Sequence, residues 1–144
     1  MVLSMACFAS AEENTTLTIV AWDVSTTPYY QAQKEAFEAT HPGVTIEYVD
    51  VASQDWDTKA GTMLSGGDTS DLFMVKQNIN IMNWAQQGFA EPLTDYIAKD
   101  NYDLSGFVGM EPNYALDGTQ YALPFRSDFW VLFYNKTLFD AAGV

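Results

Sequence analysis

The chain has 144 residues, 48% of them hydrophobic and 17% charged, which is the composition of a folded domain and excludes a disordered tail or a collagen-like fibre. With 19 acidic against 6 basic side chains, its net charge of -13 repels nucleic-acid phosphates and anionic membrane surfaces, so nucleic acid is not an expected partner. The longest purely apolar run, residues 129–134, falls far short of the roughly 20 residues that cross a bilayer, and no transmembrane helix is expected.

Residues 1–11 are small, apolar and uncharged, and end in Ala9-Ser10-Ala11 ahead of Glu12 and Glu13, the pattern of a signal-peptidase site. They read as the remnant of a signal peptide, so the chain is expected to be exported, either periplasmic or attached to the cell surface. Ala6-Cys7 resembles the start of a lipid-anchor site, but Ser4 stands where a leucine is usual, which favours a thiol discarded with the leader. Cys7 is the only cysteine, so disulfide frameworks and zinc-thiolate sites are excluded beyond Ala11.

Residues 17–22, LTIVAW, form an expected buried strand that ends at Asp23. Thr27-Pro28 opens a helix whose apolar positions include Tyr30 and Phe37, and His41-Pro42-Gly43 stops it. Alternation over residues 44–49 gives a second, half-buried strand. Trp56, Ala60, Met63 and Leu64 then lie on one stripe of a second helix. After a loop at residues 65–70, the apolar residues 71–75 form a third strand and residues 79–87 a third helix closed by Gly88. This alternation implies an α/β fold, a parallel sheet with helices on both faces. Beyond Pro92 the pattern predicts a short helix over residues 94–99, a weaker one over 104–113 and a hairpin turning at Asp117-Gly118. A buried strand over 129–134 and a helix over 137–142 follow.

Catalytic signatures are scarce: there is no nucleophile elbow, zinc-protease motif or glycine-rich phosphate loop, and no cofactor is called for. His41 is expected to cap helix carbonyls. A carboxylate pair such as Glu111 with Asp128 would suit a glycoside hydrolase, against the plainer reading of solvated surface acids. Richer in chemistry are the C-terminal ends of the strands, where open parallel sheets bind ligands. Trp22 and Asp23 follow the first strand, Lys76, Gln77 and Asn78 the third, and Arg126, Asp128, Trp130 and Tyr134 surround the last. Aromatic faces stack on the C–H faces of sugar rings, and carboxylate, amide and guanidinium groups bind hydroxyls. Each also has a structural reading: core packing for Trp22 and Trp130, capping for Asp23 and Asn78, an ion pair for Arg126 with Asp128.

Several segments resemble the extracellular sugar-binding proteins of ABC transporters, the group that includes maltose-binding protein. They are LTIVAW at 17–22, FEATHPGVTIE at 37–47, SDLFMV at 70–75, WAQQGFAEPLT at 84–94, DGTQYALPF at 117–125 and YNKTLFDAAGV at 134–144. The resemblance implies a type II periplasmic-binding-protein-like fold of two lobes that close on a sugar. It further implies a non-enzymatic role, a small-molecule sugar as ligand, a membrane permease as partner, and a monomer at full length. On that pattern residues 12–125 belong to the N-terminal lobe, and residues 126–144 to the crossover and first strand and helix of the second. The chain then corresponds to an N-terminal fragment, expected to aggregate or bind sugar poorly alone. The implied contacts are Trp22, Asp23, Lys76 to Asn78, and Asp128 at the crossover. The maltose proteins carry a lysine in the loop after the first strand, where this chain has Val24-Ser25-Thr26-Thr27, so the resemblance implies the class and leaves the identity of the sugar open. A polyamine or peptide ligand is the alternative within the same fold, with the acidic groups as counter-ions.

Overall fold

The computed structural model describes residues 14–107, 109–126 and 131–143. Two compact units divide between Glu91 and Pro92. In the first, strands β1 (Thr15–Trp22), β2 (Val44–Val51) and β3 (Leu72–Phe73) form a parallel sheet in the order β2-β1-β3. Helices α1 (Pro28–Thr40), α2 (Trp56–Ser65) and α3 (Asn78–Gln86) connect or follow them.

Register assigns the faces. Ile19 pairs with Tyr48 and Leu72, and Val20 with Val49 and Phe73, so paired residues share a side of the sheet. The Tyr48 ring lies 5.2 Å from Tyr30 of α1, which puts α1 on the face of Ile19 and Ala21. Trp22 meets Trp56 of α2 at 5.1 Å, and Phe73 meets Trp84 of α3 at 6.4 Å, so α2 and α3 cover the opposite face. Val20 and Ala21, adjacent and on opposite faces, are both fully buried, which is why β1 reads as apolar on both sides.

The helix boundaries follow local chemistry. Pro28 stands at the first turn of α1, where a missing N–H costs nothing, and His41 at its end places Nδ1 3.0 Å from Phe37 O while stacking on the Phe37 ring. Along the outer strand, Lys34 Nζ donates to Ile46 O and Ile46 N–H donates to Glu38 Oε1 at 2.7 Å, so α1 supplies side-chain partners to the backbone of β2. The third strand is shorter than expected. Only Leu72 and Phe73 form ladder pairs, though Asp71 N–H to Thr18 O and Met74 N–H to Val20 O extend the contact at each end.

The second unit contains α4 (Thr94–Asp100), the strands β4 (Ala115–Leu116) and β5 (Thr119–Gln120), and α5 (Lys136–Ala142). Asp117 and Gly118 have φ of 51° and 82°, the paired positive values a two-residue hairpin turn needs. The expected helix at 104–113 is instead two short 3-10 turns, Ser105–Phe107 and Glu111–Tyr114. Gly109 at φ 81° and Pro112 divide that segment. The expected strand at 129–134 needs a larger correction. Phe129 and Trp130 lie outside the described residues, and residues 131–135 carry no regular structure. Leu132 and Phe133 are 93% and 89% exposed. Apolar β-formers make a strand only with a ladder partner, and among the described residues they have none.

Trp56 is fully buried between α2 and the end of β1. Trp56→Ala is expected to cost about 3–5 kcal/mol, read as a lower urea midpoint, and Trp56→Phe distinctly less because most of the ring volume remains. Asp50 generates a pH prediction. Burial pushes its carboxyl up, but hydrogen bonds from the Ser25 and Val24 N–H groups outweigh that and leave it below its ordinary value. A folded-state pKa below the unfolded one means a contribution present at neutral pH and lost as pH falls through the folded value. Asp50→Asn should therefore be less stable than the wild type at neutral pH and converge with it as pH falls through the folded-state pKa, which lies below the ordinary carboxylate value, measured by urea unfolding.

Candidate functional site

The C-terminal ends of three parallel strands lie side by side in the first unit, and each feeds a loop that begins a helix. The first loop opens at Asp23, held at φ 54°, and makes a 3-10 turn over Val24–Thr26. A second 3-10 turn, Ser53–Asp55, leads from β2 into α2, and residues 74–77 lead from β3 into α3. Such starts present backbone N–H groups with no partner inside their own turn.

Carboxylates from neighbouring loops meet that need. Asp50, the second-last residue of β2, accepts the N–H groups of Val24 and Ser25 at 2.8 and 2.9 Å. In the reverse direction, Asp23 Oδ1 accepts Ser53 N–H at 3.0 Å. The third loop joins through Lys76, whose Nζ donates to Ser53 O at 2.8 Å and to Ser53 Oγ at 2.9 Å. Behind it, Asp57 of α2 accepts from Gln77 Nε2 at 3.2 Å and Asn80 Nδ2 at 2.8 Å. Asp23 and Lys76 therefore both bind Ser53.

Trp22 lies at the centre of these ties. Its half-buried ring meets Trp56 edge-on at 5.1 Å and 64°, and the Lys76 ammonium is 5.9 Å from its centroid. Of the residues expected from sequence, Trp22, Asp23 and Lys76 thus converge. Asn78 opens α3 as an exposed residue, and the cap position itself belongs to Gln77, whose side chain turns to Asp57. Arg126 is exposed in the second unit, and Asp128 and Trp130 lie outside the described residues. Two participants were not expected. Ser53 follows a strand end like the other site residues, a signal available in the sequence. Asp50 falls on the face of Val44, Ile46 and Tyr48, where alternation calls for an apolar residue, and that break in the pattern is its local sign; its reach across to the first loop has none.

The arrangement offers a half-buried aromatic face, a carboxylate and an ammonium on a common support, chemistry suited to holding a small polar molecule rather than transforming it. The profile of the bacterial extracellular solute-binding protein family matches residues 23–144. A binding protein of Brucella abortus is 34% identical over 99% of this chain and 34% of its own length. The mannitol-binding protein of Pseudomonas aeruginosa is 27% identical over 99% of this chain and 33% of its own. The crystal structure of a sugar transporter protein from Rhizobium etli, in an open conformation, is 36% identical, with a TM-score of 0.73 over 90% of this chain and 33% of that one. The chain thus spans about a third of the length of the relatives it matches. Its sheet and flanking helices are those of a type II periplasmic-binding-protein-like fold. With the profile covering nearly all of the described residues, the chain belongs to the bacterial extracellular solute-binding protein family, whose members bind solutes and are not enzymes.

Proposed function

We propose that the full protein captures a sugar or sugar alcohol non-covalently outside the cytoplasm and delivers it to the membrane permease of an ABC importer. It does so as a monomer, in the periplasm or attached to the cell surface. The ligand lies against Trp22 and within reach of Asp23, with Lys76 and Asn78 beside them. The observation that carries this reading is the held ring of Trp22 next to a carboxylate, at the ends of parallel strands. An aromatic face covers the C–H side of a polyol while a carboxylate accepts from its hydroxyls. Likeness to a mannitol-binding protein supports the same ligand class. Asp23 Oδ1 is occupied by Ser53 N–H, and Oδ2 has no hydrogen-bond partner among the described residues, so one oxygen remains for a ligand.

A thermal-shift screen of the full-length protein against hexitols, mono- and disaccharides, polyamines and short peptides tests the reading. A ligand at 100 times its Kd stabilises the folded state by about 2.7 kcal/mol, and the expected result is a raised Tm with one class of sugar or sugar alcohol. A shift with polyamines or peptides alone would overturn the ligand class. Against the ligand found, Asp23→Asn keeps an acceptor for Ser53 N–H but loses the charge. It should weaken Kd by about tenfold or more with little change in the ligand-free Tm, as titration calorimetry would report.

A further inference from the structure

Lys76 is bound in an unusual way for a lysine of this chain. Lys34, Lys59 and Lys136 each pair with a carboxylate four residues away, at 3.4, 3.6 and 2.7 Å, Lys34 donating to Ile46 O as well. Lys76 instead reaches 23 residues back to a backbone carbonyl and a hydroxyl of one residue, both neutral, at 2.8 and 2.9 Å. In a chain of net charge -13, carboxylate partners are abundant, so bonding to two neutral oxygens fixes the position of the ammonium rather than neutralising it.

That position closes a circuit. Trp22 is covalently followed by Asp23, Asp23 Oδ1 holds Ser53 N–H, Ser53 holds Lys76 through two oxygens, and the ammonium lies 5.9 Å from the Trp22 centroid. The indole is thereby bounded on one side by the edge contact with Trp56 and on another by a cation whose own freedom is removed by Ser53. A cation at that distance is attracted to an aromatic face, and a tethered cation restrains the ring that attracts it.

We infer that Lys76 is a positioning residue: tethered to Ser53, it holds the Trp22 ring in its ligand-ready orientation before any ligand arrives, and acts on affinity through that ring. The inference rests on the reading that Trp22 packs against the ligand. A platform ordered in advance spares the bound state the cost of ordering it, which is how preorganisation raises affinity.

The test has a ligand-free arm and a ligand arm, both in the full-length protein. With 5-fluorotryptophan incorporated, Trp22→Phe and Trp84→Phe assign the fluorine resonances of those two tryptophans by the signal each removes. Lys76→Met is expected to shift and broaden that resonance while leaving Trp84 unchanged, and Lys76→Arg, which keeps a donor and a cation, to restore it. In the ligand arm, Lys76→Met should weaken Kd by about fivefold and Lys76→Arg recover to within about twofold of the wild type. In a Trp22→Phe background, Lys76→Met should add less than about twofold, because its effect passes through the indole. An unchanged Trp22 resonance in Lys76→Met overturns the inference. So does a Lys76→Met loss of equal size in both backgrounds, which would mean direct contact with the ligand. A wild type that binds no sugar overturns the sugar reading instead, and the fluorine resonances still decide the role of Lys76.

Discussion

The start of a helix leaves backbone N–H groups without partners, and in this chain two such starts stand beside each other because β1 and β2 run parallel and end in register, Trp22 opposite Val51. The carboxylates that satisfy them come from the opposite loop in each case. Asp50 of β2 holds the turn after β1, and Asp23 after β1 holds the turn after β2. This exchange ties the loops to each other instead of to their own helices. Lys76 then brings the third loop to the same hub at Ser53. Everything at the strand ends depends on it: the orientation of Asp23, the seating of Trp56 at the first turn of α2, and the surroundings of Trp22.

Much of the first unit was legible in the sequence because its signals are local. Proline at the start of α1, Pro42-Gly43 at its end and the alternation from Val44 to Tyr48 in β2 are properties of a few adjacent residues, and each has its expected consequence. The hairpin at Asp117-Gly118 is of the same kind, since positive φ at both turn positions is a demand on two residues only. The failures concern pairing. Whether residues 131–134 form a strand is decided by a neighbour that hydrogen-bonds to them, and composition carries no information about that neighbour. Residues 104–113 have apolar periodicity, but the conformation of Gly109 and the ring of Pro112 prevail over it.

The site was legible to the extent that topology predicts it. The rule that open parallel sheets bind at strand C-termini finds Trp22, Asp23 and Lys76 without any contact information. Applied equally to β2 it also finds Ser53. It does not find Asp50, whose role lies in two hydrogen bonds to the first loop rather than in its place along the strand, nor does it say that Asp23 accepts a backbone N–H from the loop after β2. Trp22, with packing and ligand contact as its alternatives, has an answer that belongs to neither alone. One edge of its environment is the core tryptophan Trp56 and another is a tethered cation.

The acidic excess changes meaning once the partners of individual carboxylates are known. A charge of -13 invites the reading that the ligand is a cation, with the acids as its counter-ions. Asp71 accepts Thr18 N–H, Asp68 accepts Ser70 N–H and Asp103 accepts Ser105 N–H, at 2.8 to 2.9 Å, in addition to the two bonds at Asp50 and the one at Asp23. At Asp68 the Ser70 side chain and N–H, and at Asp103 the Ser105 N–H and side chain, hold the carboxyl below its ordinary value. Each of these carboxylates serves a turn or strand end as an acceptor. A carboxylate already engaged by backbone N–H groups is a weaker counter-ion for a diffusible cation, since part of its field is spent on donors that do not leave. At the strand ends, moreover, the Lys76 ammonium stands 5.9 Å from the Trp22 centroid. A fixed ammonium beside that ring repels an incoming amine, so the net charge of the chain is a poor guide to the local field at the strand ends.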